Sequence, residues 1–116
     1  MAPGTDKLLS KAARALQAAE AGLEVGAADI AAGRAFYAML YAAKARLNER
    51  GLRLRSHARI AAALAESEGA PAPWLSDALQ LRARLAADPD GVTYTDATRL
   101  VERARVVVDA TQRACA

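Results

Sequence analysis

The sequence predicts an all-α fold, an up-and-down antiparallel bundle of four to five helices in a single domain spanning 1–116. Three observations predict it. The 116 residues include 32 Ala and 14 Leu, which favour helix, against only 6 Val and 2 Ile. Apolar residues recur three and four positions apart, the period of a helix face. The segments that carry this period are joined by short connections, which set neighbouring helices antiparallel.

The first helix is expected from Asp6 to Glu24, with Leu9, Ala12, Leu16, Ala19 and Leu23 as its inward seam. Thr5 or Asp6 would cap it, and Gly22 and Gly26 would loosen its far end. A second, longer helix follows from Ala27 to Glu49, with Ile30, Gly33, Tyr37, Leu40, Lys44 and Leu47 inward, and Gly51 stops it. Ser56 reads as the N-cap of a short third helix ending at Leu64. Gly69, Pro71 and Pro73 break the chain before a fourth helix, Trp74 to Ala87. Asp88-Pro89-Asp90-Gly91 has the composition of a turn. The last helix begins near Thr95 and carries Leu100, Val101, Ala104, Val107 and Val108 on one stripe.

Composition removes several function classes. No apolar run approaches the ~20 residues of a membrane span, and Asp6, Lys7, Lys11, Arg14 and Glu20 interrupt the first 25 residues. No membrane association and no secretory signal are expected, and the expected location is cytoplasmic. Cys115 is the only cysteine, in a terminus expected to fray, so neither an internal disulfide nor a cysteine zinc cluster is available. With one histidine there are no paired Glu-x-x-His motifs for a di-metal carboxylate centre, and no Walker-type phosphate loop occurs. No metal and no cofactor are expected. The Leu47–Leu64 stretch lacks the hydrophobic register of a helix-turn-helix.

Charge is unevenly placed. Arg outnumbers Lys 13 to 3, which coding bias alone would give. Yet Lys44, Arg46, Arg50, Arg53, Arg55 and Arg59 are opposed between 44 and 59 only by Glu49, so this stretch carries +5 and the remainder −2. A patch of this kind suits a phosphate backbone or an acidic partner. Just before it, three of the five aromatics fall within six residues, Phe36 to Tyr41. Arg34, Tyr37, Tyr41 and Lys44 share one helical face. A buried Arg34 would need a carboxylate or an anion, and Asp88 is the suggestive carboxylate.

The string Gly33-Arg34-Ala35-Phe36-Tyr37-Ala38-Met39-Leu40-Tyr41-Ala42-Ala43-Lys44-Ala45 resembles the R-A-[YF]-Y-A-M-x-[YH]-A-A-K-A signature of the HEPN domain family. The resemblance continues through Gly51-Leu52 and the Ser56-His57 pair. Arg84-Leu85-Ala86-Ala87-Asp88 is similar to the family's R-x-x-A-D-Y, with Pro89 in place of the tyrosine. It implies a helical bundle that binds nucleotides or RNA, works as a homodimer, and partners a minimal nucleotidyltransferase, in many cases as a toxin–antitoxin module. Catalytic members are metal-independent endoribonucleases carrying Arg-x(4–6)-His at the start of a late helix. Here Arg50 and His57 match that pattern as text, but they lie between the second and third helices. At the usual place Arg84 is followed by Asp88 and Pro89 without a histidine. The sequence therefore reads as a binding protein lacking the usual nuclease motif. Arg34, Lys44, Arg53, Arg55, His57, Arg84 and Asp88 are expected to contact nucleotide, RNA or partner, with Tyr37 and Tyr41 as stacking faces. The alternatives are an endoribonuclease using Arg50 and His57 and a purely structural adaptor.

Overall fold

The structure, a computed structural model, describes residues 1–68 and 72–116, the side chains of 65–68 and 72 excepted. Five α-helices follow in order: α1 (Thr5–Glu24), α2 (Ala28–Glu49), α3 (His57–Glu68), α4 (Ala72–Ala87) and α5 (Tyr94–Cys115), with a single 3-10 turn, Pro89–Gly91, before α5. The class is all-α, and no strand occurs among the described residues. The expected breaks at Gly69 and Pro71 lie outside the described residues; Pro73 sits in the first turn of α4, where a missing N–H costs no helical hydrogen bond.

Helix α2 is the axis of the bundle and packs against all four other helices. That position explains its composition. A helix apolar all round is a buried helix, and Ala31, Ala32, Ala35, Phe36, Ala38, Met39, Leu40, Ala42, Ala43, Ala45 and Leu47 are all buried. The single inward stripe expected for this helix is thus corrected. Ile30 is 56% exposed, and Gly33 and Lys44 are only half-buried. The alanines between the larger residues, not a three-four seam, meet the neighbours. Small side chains let the axes approach closely. At Gly22 a Cβ would stand 3.0 Å from the Ala31 backbone nitrogen, so this glycine is a contact point between α1 and α2, not a loosened helix end.

Tertiary hydrogen bonds fix the directions. The Thr5 hydroxyl donates to Glu49 Oε2 at 2.8 Å and accepts from Asn48 Nδ2 at 3.0 Å, which also donates to the Pro3 carbonyl at 3.0 Å. This clasp joins the start of α1 to the end of α2, so the two are antiparallel. Thr5 is therefore buried in the clasp, and the N-cap is Gly4, without a side-chain bond. The Tyr94 hydroxyl donates to the Leu23 carbonyl at 3.1 Å, setting the start of α5 beside the end of α1. Helix α5 is thus antiparallel to α1 and runs with α2. Its stripe of Leu100, Val101, Ala104, Val107 and Val108 is buried as the sequence implied, and Cys115, expected in a frayed terminus, is instead the buried last residue of α5. Thr93, two residues before the expected start, caps α5 by accepting from the Asp96 N–H at 3.0 Å.

Gly51 ends α2 as expected, at φ +77°. Its N–H bonds the Asn48 carbonyl, and the Leu52 N–H bonds the Leu47 carbonyl at 2.9 Å. This left-handed closure turns the chain into a non-helical strap, 52–56, that carries Arg53 and Arg55. The Ser56 hydroxyl then accepts from the Arg59 N–H at 3.3 Å and starts α3.

Candidate nucleic-acid interface

Two side chains of α2, one of α3 and one of α4 meet beside the bundle core. The Arg82 guanidinium donates to the Tyr37 hydroxyl at 2.9 Å and to His57 Nδ1 at 3.3 Å. It also lies over the Phe36 and Tyr37 rings, 5.1 and 5.3 Å from their centroids. Phe36 is buried, 5.1 Å edge-on from the Tyr37 ring and 5.6 Å from the imidazole. Because a guanidinium has no acceptor, Nδ1 of His57 must be the accepting nitrogen, which places the proton of the neutral ring on Nε2.

Burial, then Arg82 and then Lys44 hold the His57 pKa below its usual 6.5. The folded protein resists a proton that the unfolded chain accepts. The stability this group contributes is present above about pH 6.5 and falls away as pH drops from there towards the lowered folded value. An NMR titration of the imidazole is expected to show a midpoint below 6.5, and a midpoint at or above it would contradict this environment.

Along the same face the cations continue. Tyr41 is 6.1 Å from the Tyr37 ring, and two ammonium groups approach it, Lys11 at 5.7 Å and Lys44 at 6.0 Å from its centroid. None of Lys11, Lys44 or Arg82 has a carboxylate partner among the described residues. Beyond Lys44 lie Arg53, Arg55 and Arg59, all exposed and likewise unpaired there. Glu49, the one acid of the 44–59 stretch, has its carboxylate taken up by the Ala2 N–H and the Thr5 hydroxyl. Those donors and the nearby amino terminus hold its pKa below the usual carboxylate value. The clasp that fixes α1 to α2 thus also occupies the one acid of that stretch.

The structure therefore brings together Tyr37, Tyr41, Lys44 and His57 of the expected set and adds Lys11, Phe36 and Arg82. Other members fall elsewhere. Arg34 is exposed and has no partner among the described residues, so the expected inward placement beside an acid is corrected: at that point α2 is covered on its other sides and leaves position 34 to solvent. Asp88 is not its partner. It caps the 3-10 turn, its carboxylate accepting from the Asp90 N–H at 3.1 Å. Arg84 lines a separate groove between α4 and α5, with Gln80, Asp96 and Arg99. Arg50 is the exposed C-cap residue of α2, and the guanidinium that reaches His57 is that of Arg82 instead. Arg82 was missed in the sequence because it stands in no motif, one of two arginines two residues apart on α4.

Among the described residues no group of three or more His, Cys, Asp or Glu side chains converges as a metal site would require, and no helix is long and apolar enough to cross a membrane. Fold and face together define a class: a small all-α bundle with a cationic, aromatic surface. The HEPN domain model matches residues 5–114, nearly the whole chain, and the protein belongs to that family. Membership carries a nucleotide- or RNA-related function at the family level, and HEPN proteins often dimerise. A comparison with curated proteins gave no match.

Proposed function

We propose that this protein binds single-stranded RNA or a nucleotide through the face formed by Lys11, Tyr41, Lys44, Arg53 and Arg55. The observation that carries the reading is the pair of ammonium groups over Tyr41, continuous with unpaired arginines on the strap. A ring flanked by cations is the arrangement that holds a nucleic-acid strand without reading its sequence, bases on the ring and phosphates on the cations. Work as a homodimer beside a minimal nucleotidyltransferase, in a toxin–antitoxin-like module, is supported by the family resemblance. So is the absence of the usual nuclease motif, since no histidine follows Arg84 at the family's usual place.

Salt tests this reading. Each single-strand phosphate neutralised adds roughly −0.7 to the slope of log K against log salt. Three or four contacts on this face give a slope of about −2 to −3 for an RNA octamer followed by fluorescence anisotropy. No saturable binding at low salt would remove the reading and leave the protein-adaptor alternative.

The guanidinium–imidazole pair favours one second reading, metal-independent RNA cleavage with His57 as proton carrier and Arg82 facing the phosphate. RNA left intact by the protein in chelator supports binding alone. Cleavage that His57→Ala abolishes would establish the second reading.

A further inference from the structure

An open cleft of about 260 Å³ lies where the start of α1, the end of α2, the strap and α3 meet. Half-buried Leu8 and Leu54 form its apolar walls over the buried Leu47 and Ile60, and Lys44 and Arg53 stand in its lining as cations. Lys44 is the same side chain that approaches Tyr41, so the cleft is continuous with the cationic face. The backbone N–H and C=O groups of Arg53 and Leu54 make no hydrogen bond among the described residues. Leu54 packs only partly against the core and is one of the residues that line the cleft.

These features fit one kind of occupant. Apolar walls bury a flat ring, while unpaired amide and carbonyl groups on one side supply a donor and an acceptor. The Watson–Crick edge of every nucleobase presents both. A cation at the rim takes the attached phosphate. A cavity of about 150 Å³ accommodates a single six-membered ring, and this larger cleft has room for a fused two-ring base. A wholly apolar occupant would leave the strap amides and two cations without partners, and a bare phosphate would leave the half-buried Leu8 and Leu54 uncovered.

We propose that this cleft holds one unpaired purine base of the bound strand, with the adjoining phosphate on Lys44 and Arg53. The proposal rests on the RNA-binding reading above and adds a base-reading position to a surface that otherwise contacts only backbone and stacked rings. The strand would then not be bound indifferently. One position selects a large, flat base.

The test uses three RNA octamers of equal charge: octaadenylate, octauridylate and a ribose-phosphate octamer without bases. Anisotropy titrations at one salt concentration are expected to rank them in that order, octaadenylate about tenfold tighter than the abasic strand. In parallel, methyl NMR resonances of Leu8, Leu54 and Ile60 are expected to move on adding octaadenylate and to stay in place with the abasic octamer. If all three bind alike, or octaadenylate binds tightly with those methyls unmoved, the base position is overturned while the cationic face stands. If no octamer binds at low salt, the RNA-binding reading itself fails, and the base position with it.

Discussion

Replacing Phe36 with alanine is expected to lower the unfolding free energy by about 3–5 kcal/mol. The ring is 1% exposed, on the helix that contacts all the others. Many of its buried neighbours are alanines, whose methyl groups cannot swing into the space left behind, so the cavity term stays nearly whole. Domains of this size are stable by only about 5–15 kcal/mol, so the loss is a large share of the total. The same substitution removes the floor beneath Arg82 and His57. Urea unfolding followed by circular dichroism measures it; a shifted midpoint with an unchanged slope is the expected pattern. A loss below about 1 kcal/mol would mean that the site collapses around the missing ring and that Phe36 is not the keystone of this core.

The second large effect concerns binding. Arg53→Ala together with Arg55→Ala is expected to weaken RNA binding for every sequence alike and to flatten the salt slope by roughly 1.4, two single-strand contacts' worth. Both side chains are exposed on a non-helical strap, so the folded state should be indifferent to their removal. Arg84→Ala, in the α4–α5 groove, should leave the slope as it was. An unchanged slope in the double variant would move the phosphate path off the strap.

The helices were legible because their signals are local. The glycine at 51, the serine at 56 and the apolar stripe of α5 act within a turn of themselves, and each does what the sequence implies. Helix α2 was legible in extent but not in orientation. A period of three and four assumes one buried side, and a helix enclosed by four neighbours has none to single out. Arg34 was misjudged for the same reason: sharing a face with Tyr37 and Tyr41 says nothing about whether a neighbour covers its end of the helix. The basic patch was readable as a charge count. That Glu49 is drawn away from it to Ala2 and Thr5 was not, because the contact spans more than forty residues of chain. Arg82 was equally hidden. Its partners lie 25 and 45 positions away, and only packing of α4 on α2 brings them together.

Nucleic acid on the strap side of the bundle would shield particular arginines, which arginine-selective chemical footprinting reads out. The chain has 13 arginines, distributed over both sides of the molecule, so a single experiment samples the strap and the α4–α5 groove at once. With the protein saturated by an RNA octamer at low salt, mass spectrometry is predicted to find Arg53 and Arg55 protected from modification while Arg84 and Arg99 react as in the free protein. Protection of Arg84 and Arg99, with Arg53 and Arg55 still reactive, would rule out the strap and place the interface in the α4–α5 groove.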